Sequence, residues 1–235
     1  MNDLAKRWEC LKLTEKESQL VDLDDEISEE LKNKGECSLV GKIWMERNIS
    51  KGVIETTMAK VWRISRKALF QEVGTNKFVI TFANQADKQR ILDGRPWLFD
   101  NQLFVILPLD GFIPPQQMDF SRERFWVQFH DLPIACMNKA GGEKLGETVG
   151  RVLEVELQED GSGWGSFLRI LIEIEIEKPL ARGRTIAIKG RTYWIPLKFE
   201  KLPHFCFRCG SIIHGEGGGR DSVWHMDEGR DESKI

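Results

Sequence analysis

The stretch Lys77-Phe78-Val79-Ile80-Thr81-Phe82-Ala83 constrains this chain more than any other. Phe78, Ile80 and Phe82 fall two residues apart, with Lys77, Val79 and Thr81 between them. Side chains alternate across a strand, so the pattern predicts one large apolar face and one mixed face. A helix cannot place these three side chains on one face, because its period is 3.6 residues rather than two. The stretch therefore reads as a central strand with helices behind it and an open front carrying Lys77 and Val79.

The flanking segments read as its partners. Residues 38–44 form a strand, and residues 51–62 a helix with Ile54, Met58, Val61 and Trp62 on one face. Residues 68–74 pair with the Phe78 strand through the short connection Gly74-Thr75-Asn76. Asn84 caps a helix over residues 85–92 that Gly94 and Pro96 end, residues 95–100 turn, and residues 102–107 close the sheet. The order β-α-β-β-α-β is the split βαβ arrangement, ferredoxin-like and RNA-recognition-like. The fold class expected is thus α+β: this domain over residues 37–110, a second β-rich α+β unit, and a short zinc-knuckle-like segment.

Residues 1–36 read as an acidic helical arm, with Thr14 and Glu17 as a capping box. Residues 111–121, with Pro114-Pro115, read as a linker. The second unit, residues 122–201, reads as strand, helix and four strands, closing in a hairpin around Lys189-Gly190-Arg191. Residues 220–235 read as a disordered tail, rich in Gly, Asp and Glu.

The net charge of −3 excludes a wholesale basic protein and confines any polyanion site to a local patch. Five Cys, an odd number whose first three are scattered, argue against a disulfide framework and for a reducing compartment. No apolar run is long enough to cross a bilayer, and the first residues lack a signal-peptide core. The expected location is nuclear or cytoplasmic, with no membrane partner and no secretion. An enzyme is not expected. There is no Walker loop and no G-x-S-x-G, and His130 and Asp131, adjacent on a strand, point apart.

The segment Cys206-Phe207-Arg208-Cys209-Gly210-Ser211-Ile212-Ile213-His214 has the spacing of three ligands of a CCHC zinc knuckle. Two thiolates and an imidazole select zinc as the cofactor, with Cys206, Cys209 and His214 as metal ligands. The fourth ligand position is occupied by Gly219, which has no donor. Phe207 offers a stacking face and Arg208 a phosphate contact. Arg182, Arg184, Lys189 and Arg191 form the densest basic cluster in this part of the chain. These six residues are the candidate nucleic-acid-binding set, with RNA or single-stranded DNA as partner.

Leu39-Val40-Gly41-Lys42, Trp97, Phe104-Val105-Ile106, Phe125-Trp126-Val127, Leu132-Pro133, Lys178-Pro179-Leu180 and the run from Phe199 to Gly210 together resemble a plant family. It is the gag-like domain of unknown function that precedes a CCHC zinc knuckle in LINE-type retrotransposon-related proteins. The resemblance implies zinc and nucleic-acid binding, and the residue at Gly219 departs from its pattern. The competing expectation is a protein-interaction scaffold on the same split βαβ domain, with self-association or a protein partner. The absence of aromatics at Lys77 and Val79 and the acidic balance favour it.

Overall fold

The structure, a computed structural model, describes residues 17, 19–23 and 28–213. Helix α1 (Glu29–Glu36) leads into the first sheet. That sheet contains β1 (Ser38–Ile43), β2 (Leu69–Gly74), β3 (Lys77–Thr81), β4 (Trp97–Phe99) and β5 (Gln102–Pro108). Between them run α2 (Lys51–Trp62) and α3 (Gln85–Asp93). The second sheet contains β6 (Arg122–His130), β7 (Arg151–Val155), β8 (Phe167–Glu175), β9 (Gly183–Ile188) and β10 (Arg191–Phe199). A 3-10 turn at Ile134–Cys136 and α4 (Lys139–Gly146) separate β6 from β7.

Both sheets are antiparallel throughout, ordered β2-β3-β1-β5-β4 and β7-β8-β6-β10-β9. Numbered separately, the two orders are identical: second, third, first, fifth, fourth. The chain uses one topology twice. The copies differ most at two connections: residues 156–166 join β7 to β8 where residues 75–76 join β2 to β3, and the crossover from third to fourth strand carries a helix in the first copy alone. The first places α3 between its third and fourth strands, whereas residues 176–182 of the second cross without a helix.

Phe78, Ile80 and Phe82 are buried against α2 and α3, as their alternation requires. Gly41 lies beside Phe104, where a Cβ would fall 2.4 Å from the ring. Leu39, Ile43, Phe104 and Ile106 share this helix-side core. Their neighbours Val40, Leu103 and Val105 point to the opposite face, and they too are buried. They belong to one cluster with Phe120, Phe125, Val127, Phe129 and Ile176. The face expected to be open is therefore packed. The side of the second sheet that lacks a helix is covered in part by the first sheet and in part by Phe205, Ile212 and Ile213.

The residues expected to link two units take part in this closure. Lys77 Nζ donates to Pro115 O at 2.9 Å and lies 5.0 Å from the Phe120 ring. Gln116 Nε2 donates to Val73 O. Residues 95–100, read as a turn, hold the short strand β4, which pairs with β5 from Trp97 to Phe99.

The fold class is corrected accordingly. The chain is an α+β fold of two antiparallel sheets with interspersed helices, and no zinc-knuckle-type metal site is formed among the described residues. Thr14, His214 and Gly219, and the tail at residues 220–235, lie outside the described residues.

Candidate interaction surface

The second sheet keeps one face away from the core. Trp126, Gln128 and His130 of β6 point to it, because Phe125, Val127 and Phe129 point inward. At its centre the Arg169 guanidinium lies 4.0 Å from the Trp126 ring. Arg169 Nε and Nη2 donate to the two Glu200 oxygens, each at 2.8 Å, and Nη1 donates to Glu156 at 2.8 Å. Gln128 Nε2 donates to the same Glu200 carboxylate at 2.8 Å.

These bonds hold Glu200 below the usual carboxylate range, chiefly through Arg169, and push Arg169 up, chiefly through Glu200. His130 sits 5.1 Å from the Phe167 ring, its pKa lowered first by burial and then by Lys198. The network satisfies itself. Its central cation is committed to two carboxylates, so it offers little to a phosphate.

The β9–β10 hairpin carries the basic residues singled out from the sequence. Lys189 (φ 47°) and Gly190 (φ 77°) form its two-residue turn, with positive φ at both positions as a type I′ turn requires. Arg182, Lys189 and Arg191 are exposed. Arg184 is folded back: Nη2 donates to Thr148 O at 2.7 Å, Nε to Thr148 Oγ1 and Nη1 to Gly183 O.

Phe207 and Arg208 are exposed on the cysteine turn, and the Phe207 ring lies tilted at 4.6 Å from the Phe205 ring. That turn adjoins the segment leading into β9, where Leu180 N donates to Gly210 O at 2.9 Å. The structure thus places Arg182, Phe207 and Arg208 near the start of β9 and Lys189 and Arg191 at its opposite, hairpin end, without converging the six residues on a single site.

Strand β9 is one of the two edge strands of its sheet, β7 being the other. Leu197 N donates to Arg182 O at 3.0 Å, which sets the phase of the ladder. Arg182, Arg184, Ile186 and Ile188 turn their backbone groups toward β10, and Gly183, Thr185 and Ala187 turn theirs outward. Gly183 O is taken by Arg184, which leaves the N–H and C=O groups of Thr185 and Ala187 as the outward set.

Trp194 lies on the same face as Thr185 and Ala187, 56% exposed, with its ring over Gly183. A Cβ at Gly183 would fall 2.3 Å from that ring. Sequence reasoning missed Trp194, Trp126, Arg169 and Glu200. The alternation of residues 125–129 marks Trp126 as outward-facing, but no local pattern pairs it with Arg169 on β8.

The zinc expectation is overturned. Among the described residues no group of three or more His, Cys, Asp and Glu is placed to hold a metal ion. Cys206 and Cys209 supply two ligands where structural zinc takes four. The Cys206 thiol is instead held below its usual pKa, first by the Cys209 backbone N–H and then by that of Arg208.

The nucleic-acid expectation falls with it. RNA or single-stranded DNA would need an open stacking face or an uncommitted basic groove. The first sheet's face is packed, the second sheet's face is neutralised, and no nucleic-acid-binding motif is evident among the described residues.

Among the described residues no helix is long and apolar enough to cross a membrane. No curated protein matches the chain. Residues 31–117 match a family described as a domain of unknown function (DUF4283), which spans the first sheet. The resemblance to the retrotransposon-related family with a CCHC knuckle is corrected to this partial match without a metal cluster.

Proposed function

We propose that this chain is a non-catalytic protein-interaction module of a reducing compartment, nuclear or cytoplasmic, whose docking element is the free edge of β9. The observation that carries this reading is the outward N–H and C=O pairs of Thr185 and Ala187 beside the exposed Trp194. An exposed edge is a template for an added strand, and native sheets cover or charge their edges unless they use them. Main-chain bonds supply affinity there, and Trp194 supplies an amphipathic anchor. The two sheets, locked through a shared core, hold that edge rigid.

The test is a photo-crosslinking residue placed at Thr192, on the Trp194 face opposite Ala187. Adducts formed in cells should be destroyed by protease and resist nuclease. They should disappear in Thr185→Pro, which removes an outward N–H without touching the β10 ladder. Nuclease-sensitive adducts, or adducts indifferent to Thr185→Pro, refute the reading.

A further inference from the structure

Two lysines face each other across the first sheet. Lys42 of β1 stands opposite Lys77 of β3 in the antiparallel register. They share the side of Val40 and Val79, and Val40 is buried in the core between the sheets. Like charges directly opposite one another on paired strands are destabilising, and both side chains are half-buried. Burial and then Lys77 lower the Lys42 pKa, and burial lowers that of Lys77.

The pair borders a cavity of about 430 Å³, walled also by Trp44, Met45, Thr75 and Gln116. No Asp or Glu lines it. Lys42 Nζ sits 3.4 Å from the centre of the Trp44 ring and makes no hydrogen bond or ion pair among the described residues. Glu177 attracts it from beyond ion-pair distance. Lys77 Nζ gives one N–H to Pro115 O, a neutral acceptor, so two of its three donors and its whole charge stay uncompensated by a carboxylate. The walls are fixed. Asn76 Oδ1 accepts from Ile49 N at 2.8 Å, and its Nδ2 donates to Met45 O at 3.0 Å and Arg47 O at 2.9 Å.

We propose that this cavity binds a small phosphate monoester, with Lys42 and Lys77 on its phosphate group. A phosphate monoester carries roughly −1.5 to −2 charge at pH 7, which matches two ammonium groups where a carboxylate matches one. Lysine holds phosphate as a point charge, and the volume is that of a small-molecule site. A bound dianion replaces the repulsion across the strands with attraction to both lysines. The cavity shares no residue with β9 or β10, so the site goes beyond the docking edge and does not depend on it.

The experiment is a calorimetric titration of the full chain with phenyl phosphate at fixed ionic strength. The wild type should bind it, and benzoate should bind at least roughly tenfold more weakly. Lys42→Met and Lys77→Met should each weaken phenyl phosphate at least roughly tenfold, whereas Lys139→Met, exposed on α4, should bind like the wild type. Saturating phenyl phosphate should also protect Lys42 and Lys77, but not Lys139, from acylation by an N-hydroxysuccinimide ester, read by peptide mass spectrometry.

Urea unfolding separates a binding role from a structural one. Without ligand, Lys42→Met should be at least as stable as the wild type, because one of two opposed like charges is gone. Phenyl phosphate should raise the wild-type midpoint and leave that of the variant unchanged. A wild type that binds no phenyl phosphate at millimolar concentration overturns the proposal. Lys42→Met and Lys77→Met proteins that bind like the wild type overturn it too, as does equal protection of Lys139. A Lys42→Met protein that is destabilised, beside a wild-type midpoint that phenyl phosphate does not move, makes Lys42 a support for Trp44 and overturns the site.

Discussion

Replacing Glu123 by Gln should stabilise the protein above neutral pH and remove most of its pH dependence. Glu123 opens β6 with its carboxylate in the core, and its Oε2 has no hydrogen-bond partner among the described residues. Arg95 lies 3.9 Å away and does not neutralise it well. The guanidinium donates instead to Leu92 O and Ile106 O, each at 2.9 Å. Burial outweighs that charge and raises the Glu123 pKa from 4.5 to about 7, and burial also lowers the Arg95 pKa.

A buried pair of this kind costs more desolvation than it regains. Between the unfolded value of 4.5 and the folded value of about 7, the native state holds the proton that the unfolded state has released. Stability is therefore fully present below the unfolded value and falls as pH rises through the folded one, by about 3 kcal/mol in all. Gln mimics the protonated acid and should recover most of that loss near pH 9, while changing little near pH 5. For a chain of this size the gain corresponds to roughly 6–12 °C in Tm. Urea unfolding of both proteins at the two pH values reads the difference directly. Equal destabilisation of the variant at both pH values would show that Glu123 is an ionised, well-paired partner of Arg95 and would refute the reasoning.

Phe78→Ala should cost about 3–5 kcal/mol in chemical denaturation, since the ring is fully buried among α2, α3 and the first sheet. A loss below about 1 kcal/mol would place the ring outside the core. Gly183→Ala should displace Trp194, whose ring occupies the space of the new methyl group, and cost about 1–3 kcal/mol. A red-shifted tryptophan emission checks it, and an unchanged spectrum counts against the stacked geometry.

Much of the framework was legible because period-two alternation is a local signal. It marked the Phe78 strand, whose Phe78, Ile80 and Phe82 are buried. Asn84 could be read as a cap for the same reason, and its side chain accepts from Asp87 N at 2.7 Å. The β9–β10 turn was legible from Lys189-Gly190. Strand β4 was not, because three residues following a proline carry no period, and its pairing with β5 is a contact between segments. The interaction surface was least legible. Arg184 looked like an available cation, but its hydrogen bonds go to Thr148, a partner 36 residues away. Sequence spacing reported the cysteine pair faithfully and could not report that no third ligand joins it among the described residues.

The reading of an open stacking face failed for a reason that belongs to the fold. The topology occurs twice, and the second copy lacks the helix between its third and fourth strands. A sheet that loses a helix exposes an apolar face and must find another cover. Here Val40, Leu103 and Val105 of the first sheet, with Phe120 and Ile212, provide it. Mixed residues such as Val79 and Val40 are ambiguous in a single strand, since they suit a solvated face and an interface between sheets equally well. The missing helix in the second copy resolves the ambiguity. One absent element closes the first sheet's face and joins the two sheets through one core. The second sheet's outer face is occupied by the Arg169–Glu200 network, and the proposed docking edge lies beside Trp194.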